Sequence, residues 1–167
     1  SIFWGAAGPL RNGKGSCYEG GYRLPCIVRW PGEVPADKVS DAIFASIDLM
    51  PTFANLAGYE VPSDRRIDGI DQTDLLQGNR ETGRDHFYFH NAGVRQGNWK
   101  YLKAQAFFHG YATDDDREKV EELYALDTDL GERTNLAAKH PQKVAELRAL
   151  MQSIEANDKL SPSDNKR

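Results

Sequence analysis

The stretch Leu10-Arg11-Asn12-Gly13-Lys14-Gly15-Ser16-Cys17-Tyr18-Glu19-Gly20-Gly21-Tyr22-Arg23-Leu24-Pro25 has no hydrophobic periodicity and sets a lysine between two glycines. Glycine opens positive φ and lets backbone come close to another group, so the stretch reads as a loop. Counted from Gly8, it nearly matches the phosphate-cradling pattern G-x-x-x-x-G-K-[ST]. The match fails where the chemistry is: Gly15 follows Lys14 in place of the metal-binding hydroxyl, and no apolar helix comes after. What survives is a compact ammonium able to approach an oxyanion, with Arg11 nearby. A solvated lysine on a surface loop is the competing reading of these residues.

Outward from this loop, the chain has 167 residues, with 21 Lys+Arg against 25 Asp+Glu and a net charge of −4. Hydrophobic residues make up 40% and charged residues 28%, a globular composition with enough apolar material for a core. Mild acidity without a clustered basic face argues against a nucleic-acid partner. No apolar run approaches the roughly 18 residues of a membrane span. The opening Ser1-Ile2-Phe3-Trp4-Gly5 has no initiator Met, basic segment or signal-peptide core. The opening therefore reads like the middle of something longer. Cys17 and Cys26 lack zinc-ligand spacing and are expected to be free thiols.

The periodicities divide the chain in two. Pro25 to Trp30 reads as a short buried strand stopped by Pro31-Gly32, and Ala42 to Ala45 as another. Asp48 suits an N-cap, with Pro51 in the first turn, the apolar face Leu49, Met50, Phe53, Leu56 and Ala57, and Gly58 as the stop. After a turn-rich stretch to Arg84, holding a short helix around Thr73–Leu76, the period becomes two. Phe87–Phe89, Val94-Arg95, Trp99–Leu102 and Leu123–Leu126 read as strands, with Gln96-Gly97-Asn98 turning one hairpin. The charged run Asp114–Lys119 reads as a solvated loop. Pro141 opens a helix with the stripe Val144, Leu147, Leu150, Met151 and Ile154, and the polar residues after Asn157 form a tail. The predicted fold class is α/β: the end of an α/β domain over 1–84, a small antiparallel sheet with one packed helix over 85–157, and a tail over 158–167.

The stretch from Leu10 to Pro25 resembles a signature segment of the arylsulfatase family, which runs roughly L-R-G-G-K-G-T-x-x-E-G-G-x-R-x-P. The resemblance continues through Val28-Arg29-Trp30-Pro31-Gly32, Ile47 to Thr52, Leu56-Ala57-Gly58 and Ile67 to Asp71. It returns at Val94 to Tyr101, at Leu123 to Asp127, at Glu132 and at Asn135-Leu136-Ala137, in the family's order. It implies an alkaline-phosphatase-like fold and hydrolysis of sulfate esters, with sulfated carbohydrate or an aryl sulfate as substrate. It also implies a formylglycine nucleophile and a bound Ca²⁺ in the full-length enzyme.

Residue by residue, the resemblance makes Lys14 the catalytic sulfate contact and gives Glu19 and Arg23 a supporting role in the loop. Arg11, His90 and His109 are the substrate-binding candidates. Neither Cys17 nor Cys26 lies in the C-x-P-S-R-type motif that becomes formylglycine, and the family's metal carboxylates fall outside this chain. Asp64, Asp68, Asp71 and Asp74 miss calcium-loop spacing and read as turn carboxylates. No metal ligand is therefore assigned here, and the chain alone is expected to be inactive. Its expected partners are a sulfated substrate and either the missing N-terminal portion or a second copy. The expected location is periplasmic or secreted. A phosphate or phosphonate ester hydrolase of the same superfamily, or a non-catalytic assembly fragment, are the alternatives.

Overall fold

The structure, a computed structural model, describes residues 7–104 and 120–158. Asp114–Lys119, His109 and the tail beyond Asp158 lie outside the described residues. The chain divides into two compact units: Ser1–Pro25 with Tyr88–Asn157, and Cys26–Phe87 with Asp158–Arg167. The glycine-rich loop thus belongs with the late strands, across more than sixty intervening residues of the other unit.

In the first unit, β1 (His86–Tyr88), β2 (Gly93–Gln96), β3 (Trp99–Leu102) and β4 (Glu122–Ala125) form a sheet in that order. β2, β3 and β4 pair antiparallel. Gln96 pairs with Trp99, so the hairpin turns through Gly97-Asn98, and Gly97 supplies the positive φ of 55° that a two-residue loop needs. Side chains alternate across a strand, so the register assigns every residue a face. Val94, Tyr101 and Leu123 stand in one row and pack against Val144, Leu147 and Met151 of α4 (Pro141–Asp158). The i, i+3, i+7 spacing puts those three on one helical stripe, with Leu150 and Ile154 partly buried beside them. Leu147 is fully buried, a contribution of about 1.5–3 kcal/mol.

The other face of the sheet is also covered. Arg95, Lys100 and Tyr124 stand in its central row, with Glu122 one row along. Lys100 and Tyr124 are buried there because the segment from Arg11 to Arg23, including the single turn α1 (Glu19–Tyr22), packs over them.

The second unit holds a 3₁₀ turn (Ser46–Asp48), α2 (Leu49–Leu56) and α3 (Thr73–Leu76). Its hub is Asp48. The carboxylate accepts from the Ala45 and Ile70 N–H groups, from Gln72 Nε2 and from Arg84 Nη1. Asp48 was expected to cap α2; its side chain instead turns back to Ala45, because the 3₁₀ turn already leads into the helix. Thr52 Oγ1 donates to the Asp48 carbonyl and accepts from Gln72 N–H. Pro25–Trp30 and Ala42–Ala45 form no strand. Ile27 is 94% exposed, and among the described residues no strand pairs with this segment. The apolar face Leu49, Met50, Phe53 and Leu56 is likewise exposed.

Candidate functional site

The loop carrying Lys14 is a folded object held by its own backbone. Ser16 N–H donates to the Gly13 carbonyl and Gly20 N–H to the Arg11 carbonyl. A Cβ at Gly20 would overlap the carbonyl oxygens of Arg11 and Asn12, and one at Gly21 would overlap that of Ser16. The paired glycines are therefore demanded by close backbone packing. Lys14 projects from the exposed side of this loop, just before Gly15 at a φ of 89°.

The buried side is charged. Lys100 is inaccessible to solvent, with Nζ 2.9 Å from Glu19 Oε1 and 2.8 Å from Glu132 Oε1. Glu132 Oε2 in turn accepts the Glu19 backbone N–H at 2.6 Å. Arg23 Nε donates to Glu19 Oε2 at 2.8 Å, and Arg95 Nη1 lies 3.9 Å from the same oxygen. The Lys100 ammonium also stands 4.6 Å from the Phe89 ring centroid. One ammonium thus joins a loop carboxylate, a strand and the turn after β4. Glu132 adopts a φ of 51°, unusual for a side chain that is not glycine, which aims its carboxylate inward.

Burial raises the Glu19 carboxyl, but Lys100 and then Arg23 outweigh it and hold the group below the ordinary range. Burial dominates at Glu132 and pushes that carboxyl up, with the neighbouring Glu19 charge adding to the shift. The ammonium therefore favours ionised Glu19 first, the carboxylate that also has the guanidinium groups.

A second cluster pins the start of the loop. Arg11 Nη1 donates to Tyr124 Oη and to the Glu132 carbonyl, each at 3.0 Å, and the guanidinium lies 3.8 Å over the Tyr18 ring. Tyr18 and Tyr124 both donate to Glu122 Oε2, at 2.9 and 2.6 Å. The guanidinium of Arg11, a substrate-binding candidate, is held by these partners and braces the start of the loop.

His90 lies in the turn between β1 and β2, at a φ of 23°, and lines a cleft of about 570 Å³ together with Gly15. The loop that presents Lys14 therefore forms one wall of this cleft. His86 sits beside Asp85 at 3.3 Å, and His140 packs on Trp99 with ring centroids 5.3 Å apart. Among the described residues, no three His, Cys, Asp or Glu side chains converge on a metal position. Asp64 and Asp68 pair with Arg65 and Arg66, and Asp71 accepts from Thr73 N–H and Asn55. Cys17 is buried, Cys26 exposed, and both are free thiols.

Lys100, Glu122, Tyr124 and Glu132 were not singled out from the sequence. The available signal was weak: a lysine inside an otherwise apolar strand, and a lone glutamate after the last one. The arrangement places an exposed cation on a loop tied to the sheet, which suits it to bind and neutralise an oxyanion.

The sequence profile of a family described as N-sulphoglucosamine sulphohydrolase, C-terminal, matches residues 13–159. The N-acetylgalactosamine-6-O-sulfatase of Bacteroides thetaiotaomicron is 33% identical over 154 residues, covering 88% of this chain and 30% of that protein. The chain thus spans under a third of that relative's length. A solved Bacteroides thetaiotaomicron sulfatase structure, described with the metabolism of multiple glycosaminoglycans, superposes with a TM-score of 0.75 at 33% identity. It covers 89% of this chain and 32% of its own. The structure of Ps i-CgsB in complex with k-i-k-neocarrahexaose gives a TM-score of 0.69 at 27% identity, over 87% of this chain and 31% of its own.

Proposed function

The chain belongs to the sulfatase family, matching its C-terminal part, and from that membership we propose that the protein carrying it hydrolyses sulfate esters of carbohydrates. The observation that carries this reading is Lys14, exposed on a loop whose underside is tied to the sheet through Glu19, Lys100 and Glu132. Sulfate oxygens gain charge as the ester bond breaks. A compact ammonium held beside them stabilises that charge more than it stabilises the bound ester. Glu19, Arg23 and Arg11 keep the loop in place and do not touch the substrate. A relative named for an N-acetylgalactosamine sulfate ester and a neighbour solved with neocarrahexaose support sulfated carbohydrate as the substrate class.

The nucleophile and a Ca²⁺ would come from the part of the protein outside this chain, where the family holds them. The 167-residue chain alone is accordingly inactive. The test is Lys14→Ala in the whole protein, assayed on a sulfated monosaccharide. Turnover should fall about 10²–10³-fold, the cost of one lost oxyanion donor, with an unchanged circular dichroism spectrum. An unchanged rate removes Lys14 from the reaction. Faster cleavage of a phosphate monoester than of any sulfate ester overturns the substrate class.

A further inference from the structure

Asn12 is the only asparagine in the chain followed by glycine, and the pair stands just before Lys14. The Asn12 side chain is exposed, and its φ is 54°, a left-handed conformation that asparagine tolerates better than most residues. Gly13 has no Cβ to shield its backbone nitrogen. Among the described residues nothing accepts from the Gly13 N–H; the bond that Gly13 makes runs through its carbonyl, to Ser16 N–H. A side-chain amide and an unhindered backbone nitrogen are thus neighbours on an exposed turn. The arylsulfatase pattern quoted above carries glycine where this chain has Asn12, so the pair is a feature of this sequence.

We propose that Asn12 is a site of spontaneous deamidation, and that its conversion disables the loop that presents Lys14. The Gly13 nitrogen gives up its proton and bonds to Asn12 Cγ, and the Cγ–Nδ2 bond breaks to release ammonia. The product is a five-membered cyclic imide, which water opens on either side. Attack at Cγ leaves aspartate in a normal chain. Attack at the Asn12 main-chain carbonyl carbon leaves isoaspartate, with the chain rerouted through Cβ and Cγ. Either product sets a new carboxylate two residues from Lys14, where it attracts the ammonium and repels a sulfate. Isoaspartate also lengthens the backbone where there is no room for it. The Arg11 carbonyl accepts the Gly20 N–H, and the Asn12 carbonyl packs so closely on Gly20 that a Cβ there would overlap it. The loss of turnover rests on the sulfatase reading above; the deamidation does not.

The test ages the whole protein in mildly alkaline buffer beside a urea-unfolded control. Mass spectrometry follows the peptide that spans Asn12, and methyltransferase labelling follows isoaspartate. Asn12 should convert in the folded protein ahead of the chain's other asparagines, and turnover should fall in proportion to the converted fraction. Asn12→Gly, whose glycine suits the positive φ, should start near the wild-type rate and keep it. An intact Asn12 in the folded protein, after the unfolded control has converted, overturns the site. Full turnover by converted protein, or equal ageing of wild type and Asn12→Gly, overturns its consequence. If fresh wild-type protein cleaves no sulfate ester, the sulfatase reading fails, and the mass measurement still decides the modification.

Discussion

The ammonium of Lys100, on the middle strand of the sheet, lies 2.9 Å from the carboxylate of Glu19, on the turn that closes the glycine loop, and neither is exposed to solvent. Glu132 approaches the same ammonium from the other side. Removing the cation would leave two carboxylates buried against each other. Lys100→Met should therefore destabilise the protein by about 3–5 kcal/mol, the range for breaking a buried ion pair. Urea denaturation measures this, and a loss under about 1 kcal/mol would mean that water reaches the site.

The same pair sets an acid limit. The Glu19 carboxyl titrates below its usual range because, against the burial that raises it, Lys100 and Arg23 favour the charged form. A depressed folded-state value means that its stabilisation is present above the unfolded value and is lost as pH falls through the folded one. Glu19→Gln should flatten the acid limb of the stability–pH profile. An identical limb in wild type and variant would show that Glu19 does not titrate on unfolding.

Tyr124 closes the second cluster, donating to Glu122 Oε2 at 2.6 Å and accepting from Arg11. Tyr124→Phe leaves the packing in place but removes both bonds, at a cost of about 1–3 kcal/mol. In the whole protein, sulfatase turnover should fall with it, because Arg11 loses an anchor at the start of the loop. Wild-type stability and rate in this variant would show that Tyr18 and Glu132 hold Arg11 unaided.

Gly20→Ala addresses the loop's shape. The added methyl would overlap the Arg11 and Asn12 carbonyl oxygens, and backbone cannot move aside as a side-chain tip can. Overpacking of this kind costs about 1–3 kcal/mol. The melting temperature should fall by several degrees, with the α4 core retained in the near-ultraviolet spectrum. An unshifted melting curve would show the loop to be pliable.

Tyr101 gives a test at high pH. Burial, and then its hydrogen bond to Glu121, push its phenol up to about 12 from 10.0. A raised folded-state value means that the stabilisation is complete below the unfolded pKa and is lost as pH rises through the folded one. Stability should therefore drop between about 10 and 12. Phenolate absorbance should show late-ionising tyrosines, because burial and Glu122 hold Tyr124 up as well, and Glu121→Gln should move one of them down. Ionisation of that group at the unperturbed value would refute the assignment.

Much of the first unit was legible in the chain. Alternation marked all four strands to within about a residue, Gly97 marked the hairpin, and Pro141 with its stripe marked α4, because each signal is local and matches one backbone period. The second unit was less legible. Pro25–Trp30 has the composition of a buried strand, but a strand also needs a neighbour to bond, and none pairs with it among the described residues. Asp48 was expected at a helix cap and became the hub that gathers Ala45, Ile70, Gln72 and Arg84, contacts that no local pattern encodes.

The site divides the same way. Lys14 between glycines, and the family order of the segments around it, can be read along the chain, because a loop's chemistry lies in consecutive residues. That Lys100 meets Glu19 across 81 positions cannot. Period two says only that Lys100 and Tyr101 point to opposite faces of the sheet. Which face is covered by α4 and which by the glycine loop follows from packing. That packing turns an ordinary strand lysine into the buried cation beneath the loop, and ties the Arg11 guanidinium to Tyr124 and to the Glu132 carbonyl.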